Sequence, residues 1–505
     1  MTRTGWMGGS MGALALAGSL TVPAGAAAQV PEASARAAAD GISEQDLRLR
    51  LSIVADDSMR GRATPSPELR EVAEYVAAQF ESFGLRPGAE DGAWLQEYPL
   101  TTLRPGPASE HVVAISGPEG SWQLEFETDY LAQYEAAEAE GSGNLLVYRI
   151  GEPAPDATGR IVALRVTMDN LQQVFGGALG AMLEGEPAGF LLSLDVPDEF
   201  LGRLRDFLGG GRTQLGEPAE AAVPVIYLVQ SRLPAALVAV LGGTAPAAGW
   251  SARLKSMAEV TVDSAPNTIG VLDGSDPDLR DEYVMFTAHM DHVGVDESPE
   301  AGADSIFNGA DDDGSGTVTI VELAQAFASL ASRPRRSLVF MTVSGEERGL
   351  LGSQWYSDHP TLPLESTVAD INIDMIGRNW SDTIVAIGKD ESTLGSLAES
   401  IAAAHPELGM SVIDDLWPEE SFYTRSDHFN FARKGVPILF FFNGVHDDYH
   451  QVSDEIDRID YEKMARIGRL IFYLGLEIAD ADAPPMWDAD AYARIVESVK
   501  DAPAE

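Results

Sequence analysis

The period of the apolar positions changes twice along the chain, and each change marks a different kind of element. Near the N-terminus Leu47, Leu51 and Val54 recur at helical spacing behind Ser43, a residue suited to cap a helix, with Asp46 at the third position. A second helical stripe, Val72, Tyr75, Val76, Phe80 and Phe83, opens at Ser66 and Pro67 and closes at Gly84. Both read as packing helices. From about 110 to 250 the pattern becomes short apolar runs broken by Gly and Pro, with strands expected over 161–166, 189–194 and 223–229 and helices over 171–183 and 234–241. From 251 to 480 the two kinds alternate: strands over 283–288, 338–343, 370–375, 383–387 and 437–442, helices over 317–330, 394–404 and 461–478. Runs such as Leu338, Val339, Phe340 and Met341 suit a strand covered on both faces. The expectation is an α/β domain with a mostly parallel sheet, whose ligands bind at the carboxyl ends of the strands.

These patterns divide the chain into 1–28, a secretory signal; 29–109, N-terminal helices that pack on the catalytic domain; 110–250, an inserted domain; 251–480, the α/β domain; and 481–505, an Ala-, Asp- and Pro-rich tail with a short helix near 491–499. The first segment carries Arg3, a small and apolar stretch over 11–22, and Ala26, Ala27 and Ala28 before Gln29. That is the order of a charged region, an apolar region and a small-residue cleavage site, so export to the periplasm or beyond is expected. No later run reaches the ~20 apolar residues of a membrane span.

Charge and cysteine content narrow the chemistry. A net charge of -45, with 29 Arg and 5 Lys against 79 acidic side chains, argues against nucleic acid or an anionic membrane as partner. There is no cysteine, so disulfides, thiol nucleophiles and thiolate metal sites are excluded. Any transition-metal site must use His, Asp and Glu.

Five motifs supply such residues, each at an expected strand end. His289 and Asp291 flank Met290, so in an extended chain they point the same way, a metal-binding imidazole with a carboxylate to orient it. Asp311, Asp312 and Asp313 sit in a Gly-rich turn, 308–316, that runs into a helix; the run leaves the choice among the three open. Glu346 and Glu347 follow a buried strand, where one can ligate and the other serve as general base. Asp374 ends an apolar strand, and a buried Asp needs a partner. Tyr449 and His450 follow the strand at 437–442; the imidazole can ligate and the phenol can donate to an oxyanion. Each motif alone is weak against a solvated or structural reading. Together they give two His, two Asp and one Glu, a set that suits zinc.

In this order, the segment 284–454 resembles the two-zinc aminopeptidase family of bacterial leucyl and vacuolar-type aminopeptidases, whose wider clan holds glutamate carboxypeptidase and the transferrin receptor. The resemblance is carried by His289, Met290 and Asp291, by 308–316, by Gly345, Glu346 and Glu347 with 349–353, by Asp374, by Ser426, Asp427 and His428, and by Tyr449 and His450. It implies a three-layer zinc-peptidase sandwich with a mixed, mostly parallel sheet, plus a smaller inserted α+β or β domain. It also implies two Zn2+ per chain: His289 and Asp374 on one, Glu347 and His450 on the other, and Asp312 bridging. Glu346 is then the general base, Asp291 orients His289, and Tyr449 assists catalysis. Substrates would be peptides with a free N-terminus. The inserted region resembles a protease-associated domain through 159–162 and 223–226. The rival within the clan is a carboxypeptidase or aminoacyl-hydrolase, for which Arg348, Arg378 and Arg425 are candidate carboxylate receptors; the rival outside it is a non-catalytic binding homologue.

Overall fold

The computed structural model describes residues 29–497 apart from 154, 176–178, 184, 297–298 and 300–301. The expected secretory signal, and the end of the tail with part of its expected helix, lie outside the described residues.

The central sheet follows from the two-residue period of its buried strands. In Tyr283–His289, Val284 and Phe286 face one cluster of side chains and Met285 faces another; in Ser337–Val343, Leu338 and Phe340 join the first, Val339 and Met341 the second. Helices Glu44–Val54, Pro67–Ser82, Gly316–Ala328 and Tyr461–Asp480 close the first cluster. Leu351–Asp358, His428–Ala432 and Ala489–Tyr492 close the second. Helices thus cover both faces. The N-terminal helices start where local chemistry places them: Ser43 Oγ accepts the Asp46 amide at 3.1 Å and Ser66 Oγ accepts that of Leu69 at 3.0 Å. Gly475 lets the long C-terminal helix lie directly on the sheet, since a Cβ there would stand 2.4 Å from the Phe286 ring.

Four strands at the centre are mutually parallel, in the order Ser337–Val343, Tyr283–His289, Thr367–Asp374, Ile438–Phe442. Ser251–Leu272 joins antiparallel at one side and Thr383–Ile387 antiparallel at the other, so the sheet is mixed and mostly parallel. The register aligns the strand ends. His289 is paired with Val343 and Asp374 with Phe442, so the carboxyl ends of the four strands share one edge.

The inserted region has its own sheet. Glu138–Tyr148, Ile161–Thr167, Gly189–Asp195 and Val225–Val229 run parallel, and Tyr130–Ala132 closes them antiparallel. The helix expected over 171–183 appears as two short pieces, Leu171–Gln173 and Leu179–Leu183. Two long strands have no counterpart in the sequence pattern. Leu95–Pro105 pairs with Ser251–Leu272, whose first residues also pair with Val112–Gly117 and Glu138–Tyr148. One 22-residue strand therefore serves both sheets. Its alternation is faint because Val260 and Val262 face solvent, the latter 71% exposed. Among the described residues no helix is long and apolar enough to cross a membrane.

Candidate metal centre

The shared strand edge brings together residues scattered from position 289 to position 450. His289 and Asp374 are the last residues of their strands. Glu346 and Glu347 follow Ser337–Val343, and the aspartate run precedes the helix Gly316–Ala328. His450 lies in the loop after Ile438–Phe442, with a positive φ of 55°; Met375, just past Asp374, has a φ of 50°. Backbone in that region is uncommon for side chains with a Cβ and concentrates where the surroundings enforce it.

The three aspartates differ in what their oxygens meet. Asp311 Oδ1 accepts the Gly377 amide at 2.6 Å, and its Oδ2 faces His446 Nε2 at 3.2 Å. Asp313 spends its carboxylate on backbone amides: His289 at 3.2 Å, Gly316 at 2.7 Å and Met375 at 3.3 Å. Asp312 instead stands between two imidazoles, with Oδ1 3.4 Å from His289 Nε2 and Oδ2 3.1 Å from His450 Nε2. On one side Asp374 Oδ1 lies 3.7 Å from His289 Nε2. On the other, Glu347 Oε2 lies 3.1 Å from His450 Nε2. Asp291 is buried; its carboxylate lies 3.7 Å from His289 Nδ1, and its backbone oxygen is nearer, at 3.2 Å. Glu346 Oε2 is 4.0 Å from His289 Nε2. Tyr449 stacks on His450, with ring centroids 4.0 Å apart.

The donor set fits a metal. Two ligand groups form, one of His292, Asp312, Glu347 and His450, the other of His289, Asp313 and Asp374. Both ring nitrogens of His292, Asp312 Oδ2, Glu347 Oε1 and Asp374 Oδ1 are buried without a hydrogen-bond partner. His292 Nδ1 and Glu347 Oε1 are 2.8 Å apart yet not aligned to share a proton. Donors on one tetrahedral zinc, with bonds of 2.0–2.1 Å, would stand ~3.3 Å from each other. Buried lone pairs at these separations are costly unless something positive lies between them.

The groups also shift one another's proton affinity. Burial opposes charge on both His289 and Asp312, but Glu346 and Asp374 hold His289 well above its usual value, and His292, His289 and His450 hold Asp312 well below. Glu347 is drawn down to about 2: His292 and His450 outweigh burial and the Asp312 charge. Glu346 goes the opposite way, well above the carboxylate range, because burial, reinforced by Glu347, Asp427 and Asp374, outweighs His289. Two adjacent glutamates thereby have opposite proton affinities.

Three contributors escape sequence reading. Strand alternation would turn His292 away from His289; the chain leaves the sheet after His289, and the rule stops applying. Arg62, the last residue of the short 3-10 helix Asp57–Arg62 between two N-terminal α-helices, is wholly buried and donates to the carbonyls of Met290, Asn308, Gly309 and Asp312. Thr64 donates to Asp291 Oδ2 at 2.9 Å and accepts the Gly345 amide at 3.0 Å. Beside the centre, Met375, Phe422, Phe440, Phe442 and Val445 line a pocket with Arg425 and Tyr449. His428 is fully buried under that pocket, stacked on Phe440 at 4.4 Å.

A helix-covered, mostly parallel sheet with histidines and carboxylates converging at its carboxyl edge places a candidate metal site where ligands bind in α/β folds. Residues 267–475, which contain every one of these candidate ligands, match the model of peptidase family M28. It is 28% identical over 214 residues to a probable leucine aminopeptidase of Arthroderma otae, covering 41% of this chain and 57% of that protein. It is 29% identical over 198 residues to aminopeptidase YwaD of Bacillus subtilis, covering 38% and 40%. The chain thus spans about half the length of the curated relatives it matches. The fold is similar to that of an aminopeptidase from Aneurinibacillus sp. strain AM-1, with a TM-score of 0.57 at 18% identity over 90% of this chain and 98% of the other. A zinc aminopeptidase from Bacillus subtilis gives a TM-score of 0.50 at 17% identity, covering 87% and 96%.

Proposed function

We propose that the protein is a metallo-aminopeptidase that hydrolyses the first peptide bond of peptides, with two zinc ions held by His289 and Asp374, by Glu347 and His450, and by Asp312 between them. His292 adds a nitrogen on the Glu347 side. The observation that carries this reading is the position of Asp312, whose two oxygens each face a different histidine. When bound, zinc supplies Lewis acidity and lowers the pKa of water toward neutrality. Glu346, whose carboxylate stands 4.0 Å from His289 Nε2 at the edge of the ligand cluster, takes a proton from the attacking water and returns it to the leaving amine. Tyr449 keeps its proton because burial, with Asp312, Glu347, Glu346 and Asp374 around it, raises its pKa. Its hydroxyl can therefore donate to the substrate carbonyl as charge develops. The acidic surround favours a free α-ammonium group, and the pocket of Met375, Phe422, Phe440 and Phe442 suits an apolar N-terminal side chain.

The carboxypeptidase reading needs a free cation at the pocket. Arg378 is engaged by Asp448 at 2.7 Å, Arg425 rests on the Phe422 ring with Glu420 at 3.5 Å, and Arg348 does not line that pocket but a separate cleft, which favours the aminopeptidase reading. The test compares zinc-loaded protein on leucine p-nitroanilide and on its N-acetyl form. Hydrolysis of the first alone is expected, and Glu346→Gln should lower kcat about 10²–10⁴-fold with zinc retained. Full activity in Glu346→Gln would sink the assignment.

A further inference from the structure

We propose that the cleft between the inserted region and the catalytic sheet is a second substrate subsite, which receives an apolar residue on the carboxyl side of the scissile bond. The proposal rests on the aminopeptidase reading above. The cleft has a volume of about 880 Å³. The inserted region presents Phe175, Phe200, Leu204 and Phe207 on one wall, and Glu347 and Arg348 stand on the other.

Continuity with the reaction centre is the first support. Glu347 turns its carboxylate to His292 and His450, at 2.8 and 3.1 Å, and also lines the cleft. The N-terminal side-chain pocket lies on the Asp374 and Glu346 side. A peptide with its first residue there would lead its second residue past Glu347 and into the cleft.

Exposed apolar surface is the second support. Phe207 is 76% exposed and Phe175 47% exposed, and among the described residues these are the two exposed phenylalanines. Both line this cleft. Aromatic side chains of this size bury about 150–250 Å² when covered, so two left open on one wall mark a surface built to be covered. Charge is the third. Arg348 is exposed, and among the described residues its guanidinium has neither an ion-pair nor a hydrogen-bond partner, in a chain with 79 acidic side chains. It also borders an adjoining hollow with Arg60 and Arg104. The free carboxylate of a short peptide is the group this cation would meet. The substrate class is therefore short peptides with an apolar second residue and a free carboxyl end.

The test is a panel of leucinamide, Leu-Gly, Leu-Phe and Leu-Phe-amide on the zinc-loaded protein, a Phe175→Ser/Phe207→Ser double variant and Arg348→Gln. All three side chains are exposed, and thermal unfolding checks that the fold is kept. The parent is expected to favour Leu-Phe over Leu-Gly in kcat/KM by about tenfold or more. The double variant should erase that margin while leucinamide, which has nothing to place in the cleft, changes by less than about twofold. Arg348→Gln should narrow the difference between Leu-Phe and its amide. Equal rates on Leu-Phe and Leu-Gly in the parent overturn the proposal. So does a margin that survives the double variant, or an equal loss on leucinamide; an unchanged acid-to-amide ratio in Arg348→Gln removes the arginine from the subsite. Failure of the parent on all four compounds refutes instead the aminopeptidase reading on which the subsite depends.

Discussion

Arg62→Met removes a buried guanidinium while keeping its apolar stem. The side chain is 0% exposed and, among the described residues, has no carboxylate in hydrogen-bond contact. It donates to the carbonyls of Met290 at 2.8 Å, Gly309 at 2.7 Å and Asp312 at 3.2 Å, and to that of Asn308. Those four peptides belong to the two segments that carry His289 and Asp312. Burial lowers the Arg62 pKa, and the charges of Asp312, Asp291, Asp313 and Asp454 oppose that, so the cation also offsets acidic repulsion in the centre. An unpaired buried carbonyl costs about 1–3 kcal/mol. Relaxation and shared lone pairs keep four such losses from adding, and ~3–5 kcal/mol is the range expected when one side of a buried charged network is deleted. Support for ligand segments of this kind is worth about 10–100-fold in metal affinity. The assay is urea unfolding of metal-free parent and variant, with zinc affinity from competition with a chromophoric chelator. Excess zinc should restore part of the lost stability by mass action. A metal-free variant within about 1 kcal/mol of the parent, with zinc affinity unchanged, would refute the argument.

His292→Asn tests the extra nitrogen. The parent should take up two zinc equivalents per chain, and the variant should hold the second at least about tenfold more weakly, read by metal analysis after graded chelation; two unweakened sites would exclude His292 as a donor. His428 governs part of the acid limb of stability. Burial, against one hydrogen bond to the Tyr423 carbonyl, lowers its pKa to about 3. An unfolded histidine titrates near 6.5, so between about 6.5 and 3 the unfolded chain binds a proton that the folded chain refuses. Stability should fall with pH across that window, by up to about 1.4 kcal/mol per unit from this group. Subtracting the urea-unfolding profile of His428→Gln from that of the parent should recover this slope; parallel profiles would count against it.

Much of the catalytic half is legible in the sequence because its elements are specified locally. Ser43 and Ser66 cap their helices through amides three residues away, and strands such as Ser337–Val343 are apolar throughout because both faces are covered. The candidate ligands His289, Asp312, Glu347, Asp374 and His450 are legible only as a set: each is weak alone, and what marks them is that all five motifs fall near expected strand ends of one α/β domain. The strand Ser251–Leu272 escapes such a reading because its middle faces solvent and its partners lie in two different sheets.

Local pattern thus determined the α/β class and the strand edge where chemistry gathers. Tertiary structure decided which atoms meet there. Among Asp311, Asp312 and Asp313 the chain offers three equivalent carboxylates, and only the amides of Gly377, His289, Gly316 and Met375 separate them by engaging the outer two. Arg62 lies more than 200 residues from the carbonyls it holds, and the wall of Phe175 and Phe207 meets Glu347 only where the inserted region folds back over the sheet. Such contacts leave no periodicity in a sequence, because they depend on where whole elements dock and not on what each residue's neighbours are.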